Sequence, residues 1–234
     1  MKSRAWGLGL LLLMLAVIIS VLAAGWWRAV QQQAPRPSPV DIGFSQAMSR
    51  HHQQAIGMAQ LMLDGRPTPL AALARQIATA QLLELGEMQG WLKLWGAPLM
   101  PLKPPMDWML LGRTPPDDAL RQYLLDCAAT PTGMSGLATE AEVGRLRTLQ
   151  GRERDAHFLT LMRAHHEGGL PMARFATVEA KLPVVRRLAA NVVREQMHEL
   201  MIIRRTHAAL EAVMAAETGT TIPAPNAMEE KPTP

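Results

Sequence analysis

The sequence predicts an all-α protein: a four-helix bundle made of two repeated helical hairpins, preceded by an N-terminal transmembrane helix. Three observations carry this expectation. The stretch DIGFSQAMSRHHQQAIGMAQLM at residues 41–62 is written again as DAHFLTLMRAHHEGGLPMAR at residues 155–174. Each copy is followed by a second stripe of apolar residues at helical spacing. A long uncharged run occupies the N-terminus. Within the repeat, Asp41, Phe44, Met48, His51, His52, Met58 and Ala59 map onto Asp155, Phe158, Met162, His165, His166, Met172 and Ala173.

Residues 1–28 open with Lys2 and Arg4 and then carry no charge from Ala5 to Trp27. A secretory apolar core is about 7 to 15 residues long and a spanning helix about 20, so the length favours an uncleaved signal anchor. Trp6 and Trp27 stand near its ends, where an interfacial aromatic belt would put them. Val21-Leu22-Ala23 is a tolerable cleavage site, and a cleaved signal peptide with a secreted body is the alternative. In either case the basic amino end stays cytoplasmic and the bulk of the chain lies outside the cytoplasm. Residues 29–40 contain QQQAPRPSPV and read as a stiff Pro-rich linker.

The bundle is expected over residues 41–216, with repeats at 41–96 and 155–216 joined by a crossover at 97–154. In the first helix Asp41, Phe44, Met48, Ala55, Ala59 and Met62 fall on one stripe, with His51 and His52 on its two edges. Asp64-Gly65-Arg66-Pro67 ends that helix. The next, over residues 69–96, puts Ile77, Gln81, Glu84, Leu85, Met88, Leu92 and Trp95 on one face. Gln81 and Glu84 interrupt this stripe where apolar residues belong, and a buried carboxylate needs a cation, a metal or a proton. The crossover is broken by Pro98, Pro101, Pro104, Pro105, Pro115 and Pro116, with room for short helices at 116–127 and 139–150, the latter opening on a Thr139/Glu142 capping box. In the second hairpin Gln196, Glu199 and Leu200 take the places of Gln81, Glu84 and Leu85, and the helix runs to about Ala216. Residues 217–234, rich in Thr, Pro and Glu, read as a disordered tail.

Composition narrows the function. At 234 residues and 48% hydrophobic, the chain buries one good core. The sequence pI of about 9.7 arises from a modest, dispersed excess of Lys and Arg with few aromatics, which argues against a nucleic-acid partner. The single Cys127 excludes an internal disulfide framework and a Cys-based zinc site, and reads as an ordinary buried or loop thiol.

The chemistry-bearing residues are the two His pairs, the Met residues around them and the polar residues on the partner helices. Imidazole suits copper, zinc, iron and nickel, whereas thioether selects soft copper, above all Cu(I). His51, His52, Met48 and Met58 against His165, His166, Met162 and Met172 would offer a mixed nitrogen and sulfur site. Adjacent His residues diverge by about 100° on a helix, so one of each pair is expected to ligate while the other hydrogen-bonds Glu84 or Glu199. Gln81, Gln196, Asp41 and Asp155 are alternative or supporting ligands. Against this stand blander readings: the Met residues as core filler, Asp41 and Asp155 as helix N-caps, and the His and Glu groups as a metal-free network fixing the bundle's register. Glu195-Gln196-Met197-His198 is a Glu-x-x-His of the kind di-metal oxidases use, but His198 lies off the inward face and the matching positions are Ala80 and Leu83. No other enzyme signature is present, and no catalytic residue is assigned.

The pairing F-x3-M-x2-H-H-x5-M-A with a downstream Q-x2-E, given twice, resembles the domain of unknown function 305 family over about residues 41–216. The resemblance implies a ferritin-like four-helix bundle, extracytoplasmic and either secreted or anchored. It also implies copper binding and copper resistance, which are linked to some members. A copper ion would then be the cargo and a metal-donor or acceptor protein the partner, with the oligomeric state open. The rival expectation is a metal-free structural or interaction module.

Overall fold

The computed structural model describes residues 2–33, 36–100 and 106–218. They hold seven α-helices and one 3-10 helix, with no strand among the described residues, in agreement with the all-α expectation. The chain divides into two compact units, residues 1–36 and 37–234.

The first unit is α1, Lys2–Gln33. Its window Leu12–Ala29 is long and apolar enough to cross a membrane, and its side chains are exposed. The helix continues through Gln31, Gln32 and Gln33 into the stretch expected to be linker, because Gln is a good helix former and the first Pro comes only at position 35.

The second unit is the bundle. α2 spans Pro39–Leu61, with Ser38 as its N-cap, Pro39 at its first position, and Asp41 completing a capping box. The helix therefore opens two residues before the predicted start, and Asp41 is the third helical residue, not the N-cap. Gly65, at φ 92°, supplies the left-handed turn that leads to α3, Ala71–Leu94. The crossover holds the 3-10 helix Asp107–Leu111, then α4, Asp118–Ala129, and α5, Glu140–Thr148, whose Thr139/Glu142 capping box forms as expected. α6, Gly151–Glu179, begins ahead of Asp155, so that residue also lies inside its helix and is no N-cap. α7, Pro183–Thr218, completes the second hairpin. The tail from Gly219 onward lies outside the described residues.

α2 and α6 pack antiparallel at the centre. Asp41, at the start of α2, accepts a hydrogen bond from the Leu182 N–H in the α6–α7 loop at 2.9 Å. Thr68, in the α2–α3 loop, donates to Asp155 near the start of α6 at 2.7 Å. The repeated aspartate thus has one job done twice: each ties down the turn of the opposite hairpin, and the two halves are related by an approximate two-fold.

Two apolar clusters fill the interior. One, at the linker end, contains Phe44, Met48, Met88, Trp108, Met172 and Val185. The other contains Met58, Ile77, Phe158, Leu159, Met162 and Ile203. The crossover seals both through close approaches. A Cβ at Gly43 would fall 2.1 Å from Trp108 Cβ, and one at Gly168 would fall 2.3 Å from the Ser135 carbonyl oxygen. Arg154, fully buried, donates to the Leu146 carbonyl at 3.1 Å, to Asp64 at 3.0 Å and to the Leu61 carbonyl, locking the C-terminal ends of α2 and α5 together.

Candidate metal centre

Between the two apolar clusters every bundle helix buries two polar residues, beside Leu85, Leu170 and Leu200. α2 contributes His51 and His52, α3 Gln81 and Glu84, α6 His165 and His166, and α7 Gln196 and Glu199, all of them buried. The eight form one polar layer across the middle of the bundle. A polar layer in an apolar core is costly unless its groups are paired, so its internal bonding is the first question.

The outer members are paired. His52 Nε2 lies 2.7 Å from Glu84 Oε2, and His166 Nε2 lies 2.7 Å from Glu199 Oε2. These are the carboxylate–imidazole contacts expected from the sequence, one per hairpin. The inner members meet on the two-fold: the His51 and His165 rings stack with centroids 3.7 Å apart and planes at 37°. His165 Nε2 lies 2.8 Å from the His51 backbone oxygen. A carbonyl only accepts, so His165 carries its proton on Nε2 and leaves Nδ1 as a bare lone pair.

That lone pair is one of many. Both ring nitrogens of His51, Nδ1 of His52, His165 and His166, both amide atoms of Gln81 and of Gln196, and Glu84 Oε1 are buried with no hydrogen-bond partner among the described residues. More than about 90% of buried polar groups in native proteins are paired, and each orphan costs roughly 1–3 kcal/mol. Concentrated in one layer, they fit a polar or ionic guest. Burial pushes His51 well below the ordinary imidazole pKa, and coulombic repulsion from the neighbouring His165, His52 and His166 rings acts in the same direction. Burial and His166 do the same to His165, only partly opposed by its bond to the His51 carbonyl. Both rings are therefore neutral near pH 7, the form that ligates metals.

The two halves are not equivalent. A Cβ at Gly169 would lie 2.8 Å from His51 Cε1 and 3.1 Å from Gln196 Oε1, so the missing side chain is what lets His51 and Gln196 each close on the α6 backbone. The matching residue of the first repeat is Ala55. Sequence reasoning passed over Gly169, although two successive glycines inside a helix, at about 1 kcal/mol each, were a signal that something approaches closely.

The methionines are not gathered at one point. Met48 and Met172 belong to the linker-end cluster and Met58 and Met162 to the other, all fully buried. By helical rise Met48 and Met162 stand roughly 4.5 Å along the axis from the His51 and His165 levels, and Met58 and Met172 roughly 10.5 Å. Among the described residues no three His, Cys, Asp or Glu side chains form a ready-made cage. Asp41 and Asp155 are occupied at the bundle ends, and His198 is exposed on the outer face, away from the layer. Glu195, which opens the Glu-x-x-His motif, is half-exposed; burial and the neighbouring Glu84 and Glu199 raise its pKa.

Solved structures are similar to this chain in fold. A DUF305 protein from Streptomyces coelicolor is 33% identical with a TM-score of 0.59, over 78% of this chain and 95% of that one. A DUF305 fragment from Deinococcus radiodurans is 28% identical with a TM-score of 0.57, over 75% and 99%. CopM in its Cu(II)-bound form is 25% identical with a TM-score of 0.53, over 72% and 96%. No curated protein matches. The family described as Domain of unknown function (DUF305) matches residues 41–207, which span both His-His motifs, α3, the crossover and α7 as far as His207. With the repeat, the bundle and this match in agreement, the chain belongs to the DUF305 family.

Proposed function

We propose that this protein is a membrane-anchored, extracytoplasmic copper-binding protein that sequesters the ion or hands it on, and that the polar layer is where the ion binds. The observation that carries the reading is the set of buried, neutral, unpartnered imidazole nitrogens at the stacked His51 and His165 pair. His51 and His165 are the primary donors. His52 and His166, held by Glu84 and Glu199, orient the layer and supply charge to balance a cation. Met48 and Met162, one turn away, are the soft donors that favour Cu(I), while Met58 and Met172 act as core. The Cu(II)-bound CopM, similar in fold and sequence, supports copper over the other metals imidazole accepts. Window Leu12–Ala29 of α1 supports the anchor, by length and composition.

A second reading has its own support: the 2.7 Å carboxylate–imidazole contacts, with no preformed three-ligand cage among the described residues, suit a metal-free network that fixes the register of the four helices. Copper titration of the body, residues 37–218, under oxidising and reducing conditions separates the two. The first reading predicts uptake that raises the melting temperature by several degrees at a hundredfold excess over Kd, lost when His51, His52, His165 and His166 are replaced together by Gln. Uptake unchanged by that replacement, or none at all, rejects it.

A further inference from the structure

We infer that the seam between α3 and α7 is the port through which a cation enters and leaves the polar layer, with Glu195 as the outer carboxylate of that port. The inference deepens the copper reading and rests on it for the identity of the cation.

Packing leaves one side of the bundle loose. α2 packs closely on α3, α6 on α7 and α2 on α6, whereas the backbones of α3 and α7 stay largely apart among the described residues. The crossover covers the α2–α6 side, where Trp108 lies against Gly43 and Ser135 against Gly168. Exposure of the layer follows the same division. His51, His52, His165 and His166 are sealed at 0%, whereas the α3 and α7 members keep some contact with solvent, Glu84 most of all at 8%. The layer therefore meets water at its α3–α7 edge, not at its histidines.

Charge at that edge is of one sign. At about 100° per residue, Glu199 and Glu195 lie about 60° and 100° to one side of Gln196 on α7. The other side of α7 faces α6, since Arg204 there donates to Glu167 at 2.9 Å and Met197 receives Arg174. Arg186 falls on that α6 side, and Arg187, Arg194 and Arg205 point outward, about 160–180° from Gln196. On α3, Glu84 and exposed Glu87 lie about 60° and 120° to the side that the two-fold turns toward α7, and Arg75 and Lys93 lie about 120° the other way. Glu195 is 45% exposed, and its ion pair with Arg194, at 3.9 Å, is long and open to water. Burial, then the charge of Glu84, holds the Glu195 carboxyl above its ordinary range, with Glu199 acting the same way and Arg194 and His52 against it. The carboxylates of the two helices are thus close enough to feel one another.

What stands behind this edge makes it a port. Glu84 keeps Oε2 on His52 and leaves Oε1 unpartnered, and Gln81 and Gln196 leave both amide atoms unpartnered, all three side chains being more than nine-tenths buried. Gln196 Oε1 and His51 Cε1 crowd the same point above Gly169, so an ion passed from Glu195 to Gln196 has reached the stacked rings. Carboxylates at a low-dielectric mouth raise cation association rates by about 10- to 1,000-fold. Ala80 occupies the position of Glu195 in the first repeat, so α7 alone supplies the outer carboxylate.

The test uses the body, residues 37–218, which has its own two-cluster core and is similar along most of its length to a crystallised fragment. Stopped-flow mixing with aqueous Cu(II) at low ionic strength, read by quenching of Trp91, Trp95 and Trp108, gives the association rate. Equilibrium titration gives the copper bound per chain. The expected rate in Glu195→Lys is at least tenfold below that in Asp126→Lys, an equal charge change at an exposed site on α4, with bound copper unchanged and the gap narrowing at high salt. Glu195→Gln should fall between the two, and Ala80→Glu, which adds the missing carboxylate, should speed association. Equal rates in Glu195→Lys and Asp126→Lys, or copper lost from Glu195→Lys at saturation, would overturn the port and leave the copper reading standing. No uptake by the parent would overturn both.

Discussion

At the scale of the residue, the position of one proton organises the centre. His165 donates Nε2–H to the His51 carbonyl, so its Nδ1 lone pair is presented to the polar layer. An imidazole whose folded pKa lies below its unfolded value binds fewer protons in the native state, so its neutral burial is fully tolerated above about pH 6.5 and costs stability as the pH falls below that. His51 and His165 both shift in that direction. Urea denaturation of the metal-free body should therefore show stability falling between pH 7 and pH 5, by up to about 1.4 kcal/mol per pH unit for each ring. A His51→Gln/His165→Gln variant should show a flatter profile, and an unchanged one would place the acid sensitivity elsewhere. Gly169 gives a second prediction. Its replacement by Ala gains about 1 kcal/mol of helix propensity but forces His51 and Gln196 aside, an overpacking cost of about 1–3 kcal/mol, so the variant should lose on the order of 1 kcal/mol and bind copper more weakly. Ala55→Gly, its counterpart in the first repeat, should leave copper binding unchanged. The identities of the layer's residues were legible in the sequence because the repeat wrote them twice. Which His of each pair turned to Glu was not, because both lie at the stripe's edges and only the packing of α2 on α6 decides between them.

At the scale of the element, the repeated aspartates show what local reasoning misses. Position at a helix start suggested N-caps, yet Ser38 and Gln150 hold those places. Pro39 accounts for one early start, since proline is preorganised for the first helical position. The aspartates bond instead across the two-fold, a long-range contact that no periodicity within one repeat reveals. Asp41 both completes the capping box and holds Leu182, whereas Asp155 accepts from Thr68. Asp41→Ala should therefore destabilise the body by about 2 kcal/mol and Asp155→Ala by about 1, measured as shifts in denaturant midpoint. Equal effects would mean that the loop contact, not the cap, dominates. The crossover was readable as short helices between prolines, and the capping box of α5 formed where the sequence placed it. Its seating through Gly43 and Gly168 was not readable, because a close approach depends on what the glycine faces.

At the scale of the whole molecule, two apolar clusters with a polar layer between them explain why a marginal arrangement is kept. The clusters supply the stability, and the middle of the bundle is left free to hold unpaired donors. The all-α bundle followed from the repeat and from apolar stripes at helical spacing. The split of the methionines between the clusters did not, since it depends on the antiparallel direction of α2 and α6, which places Met48 with Met172 and Met58 with Met162. The central claim is that copper binds at the stacked pair through imidazole nitrogen. Electron paramagnetic resonance of the Cu(II)-loaded body tests it most directly, by counting nitrogen couplings in the parent and in His51→Gln and His165→Gln variants. The account predicts coupling to at least two imidazole nitrogens, with one lost in each variant and none lost in Met58→Leu. A spectrum unaltered by removing either His51 or His165 would contradict it and place the metal outside the polar layer.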